Sequence, residues 1–178
     1  MTLKKIGNII FYIVSSFMIL LIFVEVLFPT RSIDLLGFKV YAVPTPSMEP
    51  VIKVGDLIIV GKADLDELDE DSIISFYADI NNDGKDEVVT HQIRSIVFEG
   101  ETRLFRTYGI NNNADDTFRT TDEDIVGVYQ LRIPFLGFIV LFLKILVENP
   151  IFLGLILLNI AILIVLIKVI KRKPGETL

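Results

Sequence analysis

The sequence predicts a mainly β domain held between two membrane-spanning helices. Two apolar runs of membrane length stand near the ends of the chain, and the residues between them form short runs rich in β-branched and aromatic side chains. With 178 residues, 52% hydrophobic and 22% charged, the chain is too apolar for a soluble domain and too charged to be all membrane. Because it has no cysteine, the β domain must be held by its own core rather than by disulfides.

Four segments are expected along the chain. They are residues 1–28, a cytoplasmic end and transmembrane helix; 29–132, an extracytoplasmic β domain; 133–149, an apolar membrane-proximal segment; and 150–178, a second transmembrane helix with a basic cytoplasmic tail. The apolar runs at 6–28 and 151–167 are each long enough to cross a hydrocarbon core about 30 Å thick. We interpret the first run as a permanent anchor rather than a cleaved export signal, because it is longer than a signal and no small-residue cleavage site follows it.

Basic residues flank the two apolar runs at their outer ends. Lys4 and Lys5 precede the first run. The second run is followed by Lys168, Lys171, Arg172 and Lys173. Since Lys and Arg mark the cytoplasmic side, we expect a multi-pass protein of the plasma membrane with both termini inside and the β domain outside. Residues 29–132 hold 20 of the 23 acidic residues and 10 of the 17 basic ones, which argues against a nucleic-acid partner.

Six short runs in the middle of the chain are predicted strands, separated by clusters of Gly, Asn and Asp. They are residues 39–43, 57–60, 73–77, 88–97, 104–108 and 125–131. The apolar stretch 133–143 is too short to span a bilayer. We expect it to lie on the membrane surface or to pack beneath the domain.

Residues 79–86 have two interpretations. Oxygen-bearing side chains at the first, third and fifth positions, followed by Gly84, match the start of an EF-hand calcium loop. However, Thr90 stands where that loop needs a bidentate carboxylate. Asp83 followed by Gly84, between two predicted strands, is also a strong hairpin-turn signal. We favour the turn over a weak cation site.

Ser47 stands in a proline-rich stretch directly after the first predicted strand. Pro44, Pro46 and Pro50 remove backbone donors and fix φ, so this stretch can be neither a helix nor a central strand. A rigid loop of this kind can present a hydroxyl for reaction, but it is also typical of a linker between an anchor and a domain. These residues alone leave both interpretations open.

His91 is the chain's one histidine, and a serine nucleophile needs a base. In a strand it would share a face with Val89 and Ile93, so its ring would point toward the apolar side. There it is either a structural core residue or a partly buried base whose second nitrogen pairs with an acid.

The loop 109–116 offers Asp115 and Asp116 for that pairing, although turn residues of this kind also bind their own backbone. Lys85 is the alternative base. A lysine base needs burial to lose its proton, and Lys85 lies in the predicted turn, which favours the histidine.

The order of these motifs resembles type I signal peptidases. The stretch Ser47-Met48-Glu49-Pro50, then Gly55-Asp56-Leu57, then the strand around His91 and the loop from Gly109 to Asp116, follow that family's order and approximate spacing. The resemblance covers roughly residues 5–132. It points to the archaeal and endoplasmic-reticulum branch, also found in spore-forming bacteria, in which histidine replaces a lysine base.

The resemblance implies a signal-peptidase-like β catalytic domain in a membrane-bound serine endopeptidase. Such an enzyme removes N-terminal signal peptides from exported proteins, cleaving after small residues on the outer membrane face. It implies Ser47 as nucleophile, His91 as general base and Asp116 as the orienting acid, with Asp115 as substitute. The Thr45 hydroxyl and the Ser47 N–H would bind the oxyanion. No metal or cofactor is required, and the implied partners are signal-peptide-bearing preproteins, the lipid bilayer and the export translocon.

Two positions depart from the family pattern. Ile110 follows Gly109 where an acid is typical, and Pro46 stands where glycine is more common. The missing acid leaves a broad signal peptidase and a dedicated or weakened relative with few clients both open. A non-enzymatic, membrane-anchored β module that binds a partner is a third alternative.

Overall fold

The computed structural model describes residues 3–29 and 31–171, and it consists of a β domain between apolar helices. Helices α1 (Leu3–Leu27) and α2 (Ser32–Leu36) precede the strands, and α3 (Gly137–Glu148) and α4 (Pro150–Lys171) follow them. The strands are β1 (Phe38–Ala42), β2 (Leu57–Gly61), β3 (Ile73–Ala78), β4 (Glu87–Glu99), β5 (Thr102–Tyr108), β6 (Thr120–Thr121) and β7 (Ile125–Ile133). The predicted fold class is confirmed. Of the predicted basic tail, Arg172 and Lys173 lie outside the described residues.

The strands form one antiparallel sheet in the order β1-β2-β7-β3-β4-β5-β6. All six predicted strands are present with small changes at their ends, and the two-residue β6 is the one that the sequence did not predict. Strand β1 is at one edge of the sheet and β4 lies between β3 and β5. Register pairs Ile74 with His91 across β3 and β4, and Ile93 with Thr107 across β4 and β5. Paired residues share a face, so His91 and Thr107 lie on the same side of the sheet.

The hydrophobic core has two clusters. The first consists of Ile74, Phe76, Ala78, Ile93 and Phe105. The second consists of Met48, Ile52, Ile58 and Val60, with Ile73 packed against it. Ile74 belongs to the first cluster and Ile73 packs against the second. Because neighbouring residues of a strand point to opposite faces, the two clusters lie on opposite sides of β3.

The turn before β2 is tied to the end of β7 by a buried carboxylate. Asp56 Oδ2 accepts hydrogen bonds from the Lys53 N–H at 2.9 Å and from the Arg132 guanidinium at 2.7 Å. Gly137 lies so close that a Cβ there would stand 2.2 Å from the Asp56 carbonyl oxygen, so the first turn of α3 requires a glycine. The Gly55-Asp56 motif before β2 therefore contacts both the end of β7 and the start of α3.

Residues 79–86 form the turn of the β3–β4 hairpin. The Asp79 carboxylate accepts hydrogen bonds from the N–H groups of Asp83 and Gly84, at 3.0 and 2.9 Å. Gly84 has φ +78°, in the left-handed region that favours glycine. The hairpin interpretation is confirmed, and Asp79 serves as the acceptor that closes the turn.

Helices α1 and α4 contain the two segments that are long and apolar enough to cross a membrane, Lys4–Leu27 and Pro150–Lys168. Both match the predicted apolar runs. The stretch after β7 was not predicted as a helix, but α3 is helical over twelve residues and exposes large apolar side chains along its length. Pro150 begins α4, where its missing N–H leaves no intrahelical bond unmade.

We expect Asp56→Asn to lower the free energy of unfolding of the β domain by about 2 kcal/mol, because a buried charged acceptor is lost. Burial alone would raise the pKa of the Asp56 carboxyl. The Lys53 N–H, the hydrogen bond and charge of Arg132 and the Phe135 N–H outweigh burial, so the pKa lies below its ordinary value. The Asp56 contribution is therefore complete above about pH 4 and is lost as pH falls through the folded-state pKa.

Unfolding of the detergent-solubilised chain, followed by circular dichroism between pH 7 and pH 3, measures both effects. Glu99→Gln is the matched control, since it breaks an exposed 2.9 Å pair with Arg119 and should cost less than about 1 kcal/mol. An Asp56→Asn protein as stable as the control at pH 7 would contradict this role for Asp56.

Candidate active site

Ser47 lies on a compact turn, residues 46–52, that follows edge strand β1 and is called the serine turn below. The Glu49 N–H donates to the Pro46 carbonyl at 3.0 Å and the Ile52 N–H to the Met48 carbonyl at 3.0 Å. Met48 and Ile52 are buried in the second core cluster. Ser47 remains half-buried, at the surface of a turn whose apolar side chains are anchored beneath it. The stretch is thus a fixed part of the domain and not a loose linker.

The Ser47 hydroxyl has a second hydroxyl beside it. Thr45 Oγ1 and Ser47 Oγ are 3.3 Å apart, and either atom can donate. Thr45 itself is exposed, so its hydroxyl can also turn toward a molecule bound outside the turn.

His91 lies in the interior, as its strand position predicts. Its side chain is 8% exposed, as is that of Asp116, and His91 Nδ1 is 2.6 Å from Asp116 Oδ2. An ionised carboxylate only accepts hydrogen bonds, so this contact assigns the proton of a neutral imidazole to Nδ1 and the lone pair to Nε2. This arrangement fixes the ring and leaves one basic nitrogen free to accept a proton.

Thr107 on β5 binds the same oxygen of the Asp116 carboxylate that contacts His91. The Thr107 hydroxyl donates to Asp116 Oδ2 at 2.7 Å, and the Asp116 N–H donates to the Thr107 carbonyl at 2.9 Å. Thr107 is buried on the same face of the sheet as His91. Thr107 was not predicted from the sequence as a site residue, although a hydroxyl two positions after Phe105 on an apolar face was a usable signal.

The loop 109–116 connects the two halves of the site. Near its start, the Asn111 N–H donates to the Ser47 carbonyl at 2.8 Å, and its side-chain amide donates to the Pro46 carbonyl at 3.2 Å. Gly109 is packed so tightly that a Cβ would stand 2.7 Å from the Ser47 carbonyl oxygen. At the end of the loop, the Asp116 carboxylate contacts the His91 ring. Asn111 was not singled out from the sequence, since its partners lie far away along the chain.

Ser47 and His91 are held by the same loop but do not share a hydrogen bond. Within the described residues, the side-chain partner of Ser47 is Thr45 and that of His91 is Asp116. A serine and its base often tighten their contact only when a substrate is bound.

Asp115 and Ile110 point away from the histidine pair. The Asp115 carboxylate accepts from Arg94 Nε at 2.9 Å in a half-exposed ion pair. Ile110 packs against the second core cluster, which contains Met48. Ile110, which stands where the resemblance leads us to expect an acid, thus packs against the core cluster that supports the serine turn. In the part of the chain that the structure describes, no group of three His, Asp or Glu side chains could hold a metal ion.

The structure thus combines a serine on a fixed turn with a buried histidine–aspartate pair, and one loop binds both. Serine hydrolases use the same three residue types. No family model matches the chain. The chain is 34% identical over 132 residues to signal peptidase I W of Bacillus subtilis, which covers 71% of this chain and 66% of that protein.

Two fungal proteins are also similar to this chain. The chain is 34% identical over 113 residues to the signal peptidase complex catalytic subunit SEC11 of Leptosphaeria maculans, covering 58% of this chain and 61% of that one. It is 32% identical over 129 residues to the SEC11 subunit of Metarhizium acridum, covering 68% and 71%. The match spans less than two thirds of the Bacillus protein, at 66%, and of the first fungal protein, at 61%. The chain belongs to the type I signal peptidase family.

We expect Thr107→Val to lower the free energy of unfolding by about 1–2 kcal/mol, because the buried Asp116 carboxylate loses a donor. Thr120→Val is the matched control. Thr120 is also buried, but its hydroxyl has no hydrogen-bond partner among the described residues. Its replacement should be neutral or slightly stabilising. Denaturant unfolding of both variants in detergent measures the difference, and an equal loss in the two would contradict the role given to Thr107.

Proposed function

We propose that this protein is a membrane-bound serine endopeptidase that removes N-terminal signal peptides from exported proteins. The observation that carries the proposal is the loop 109–116, which binds the Ser47 backbone near its start and bears Asp116 against His91 at its end. Membership of the type I signal peptidase family supports the substrate class.

The proposed reaction begins with proton transfer. His91 Nε2 accepts the proton of Ser47 Oγ, and Oγ forms a bond to the carbonyl carbon of the peptide to be cut. The imidazolium that results is stabilised by Asp116, whose carboxylate already binds Nδ1 at 2.6 Å. The Thr107 hydroxyl keeps that carboxylate in place throughout.

The Thr45 hydroxyl and the Ser47 N–H are the proposed donors to the oxyanion. Thr45 Oγ1 lies 3.3 Å from Ser47 Oγ, near enough to reach an oxygen on the carbon that Oγ attacks. When the tetrahedral intermediate collapses, the C–N bond breaks and His91 gives its proton to the leaving amine. Water then attacks the acyl-enzyme with His91 again as base, which releases the signal peptide and restores Ser47.

The substrate is proposed to bind as an extended strand along β1. This strand is at the edge of the sheet and leads directly into the serine turn, so a paired peptide would run past Ser47. Small side chains before the cleaved bond are part of the proposal, as the resemblance to type I signal peptidases implies.

The proposed topology places the β domain outside the plasma membrane, with α1 and α4 crossing it and both termini in the cytoplasm. The length and apolar composition of the two helices support this, together with the basic residues Lys4, Lys5 and Lys168 at their ends. The exposed apolar residues of α3 support its lying on the bilayer as the membrane-proximal segment 133–149. The lipid bilayer, exported preproteins and the export translocon are the proposed partners.

Ile110 gives no reason to expect weakened catalysis. Its side chain packs against the second core cluster beneath the serine turn. An acid at this position would have to leave that cluster to approach His91. We therefore favour a broad signal peptidase over a dedicated one.

We expect Ser47→Ala to abolish cleavage of an exported precursor and His91→Ala to slow it by about 10²–10⁴-fold, the usual range for a general base. Asp116→Asn should slow cleavage by at least about 10²-fold, because the amide no longer holds the ring in one tautomer. The measurement is precursor cleavage by the full chain reconstituted in vesicles of phosphatidylethanolamine and phosphatidylglycerol, followed by gel mobility.

Asp115→Asn is the matched control for Asp116→Asn, since it makes the same change one position earlier at an exposed pair with Arg94. It should cleave at close to the wild-type rate. Full cleavage by His91→Ala, or equal effects of the two Asp variants, would remove the histidine pair from the proposed mechanism.

A further inference from the structure

The junction between α1 and β1 contains a buried cation that the proposed chemistry does not use. Lys39 lies on edge strand β1, and its side chain is 5% exposed. Its ammonium donates to the Pro29 carbonyl, just beyond the end of α1, and lies 3.6 Å from the Glu25 carboxylate. A lysine is rarely buried unless it is paired, so this contact needs an explanation.

Glu25 is the other half of the contact. It lies in the last turns of α1, inside the segment that is long and apolar enough to cross a membrane. A carboxylate in such a segment is costly and is usually paired. A carboxylate near a helix C-terminus is also poorly placed with respect to the helix dipole, whereas a cation there is favourable. Lys39 offsets both costs, because its ammonium pairs with the Glu25 carboxylate and places a cation beside the C-terminal end of α1.

The contact is connected to the serine turn by packing. Lys39 and Tyr41 are two positions apart on β1 and therefore share one face, and Val43 follows the strand directly. Tyr41 and Val43 pack against the second core cluster, which contains Met48, the residue after Ser47. Burial, with Tyr77 and Glu25 nearby, raises the pKa of the Tyr41 phenol, so it stays protonated. The face of the chain that carries Lys39 thus also carries residues that pack against the cluster beneath the residue after Ser47.

A second ion pair at this junction is of a different kind. Asp34 on α2 pairs with Lys62 at 2.6 Å, but both side chains are more than half exposed. Water and ions screen such a pair, so it contributes little rigidity. Among the described residues of the junction, the Glu25–Lys39 contact is the one that joins a buried group of the domain to the anchor helix itself.

We propose that Glu25 and Lys39 are positioning residues whose contact fixes the height of the β domain above the membrane and so selects which peptide bond reaches Ser47. This inference rests on the proposed function. A precursor held in the same bilayer presents its bonds at heights set by its own apolar segment. Extended chain rises about 3.3 Å per residue, so a change in height of about 3 Å moves the attacked bond by about one residue.

The test uses the full chain in vesicles of phosphatidylethanolamine and phosphatidylglycerol, with two variants and one control. Glu25→Gln keeps the shape and the Lys39–Pro29 bond but removes the charge. Lys39→Met removes the cation and keeps the length of the side chain. Asp34→Asn makes the same change as Glu25→Gln at the exposed pair. Glu25 is half-exposed, so Glu25→Gln preserves the test if Lys39→Met does not fold.

Two readouts separate this inference from the proposed function. First, mass spectrometry of the cleaved precursor gives the bond that is cut. We expect both variants to remain active but the ratio of product cut at the main bond to product cut at neighbouring bonds to fall about tenfold, as for loss of about 1.4 kcal/mol. Second, the chain has no cysteine, so a nitroxide on Val51→Cys, an exposed position in the serine turn, reports depth by its accessibility to oxygen and to a nickel chelate.

We expect the nitroxide depth to shift by about 3 Å or more in Glu25→Gln and Lys39→Met and to stay unchanged in Asp34→Asn. Unchanged depth in both variants overturns the proposal, whatever the cleavage pattern. A changed depth with wild-type cleavage positions overturns the selection of the bond. If the wild-type chain cuts no precursor, the proposed function fails, and the depth measurement still decides whether the contact sets the height of the domain.

Discussion

The candidate site depends on a loop of eight residues that is fixed at both ends. At one end, the Asn111 N–H binds the Ser47 carbonyl, and Gly109 allows the two backbones to approach. At the other end, Asp116 is held between the Thr107 hydroxyl and the His91 ring. Thr107 lies near the end of β5, which pairs with the strand that bears the histidine. If either end of the loop moved, the Ser47 backbone or the Asp116 carboxylate would lose a hydrogen bond.

The serine turn is held by core packing as well as by its hydrogen bond to the loop 109–116. Met48 and Ile52 place their side chains in the second core cluster, and Ile110 reaches the same cluster from the loop above. The turn that carries Ser47 is therefore held by packed core residues as well as by its prolines. Deep burial beneath a half-exposed serine is the kind of support that keeps a reactive group in one position. It also explains how an apolar residue at position 110 fits this chain.

Local patterns predicted much of this molecule. The two apolar runs predicted α1 and α4, and the six runs rich in β-branched and aromatic residues predicted six of the strands. Helix α3 was not predicted as such because a run that is apolar all round has no helical face to recognise. Asp115 and Asp116 are neighbours in a loop, and only the backbone conformation decides which one faces His91. Thr107, Asn111 and Lys39 find their partners through the register of the sheet and the path of the loops, which no short window of sequence contains.

The central claim is that Ser47 is a nucleophile activated by His91, and covalent labelling tests it most directly. The full chain in detergent would be treated with a serine-directed acylating probe, and the adduct located by peptide mass spectrometry. We expect a single adduct on Ser47, absent from Ser47→Ala and formed at least about 10²-fold more slowly in His91→Ala, since the base no longer takes the proton. No adduct on Ser47, or equally fast labelling without the histidine, would contradict the claim.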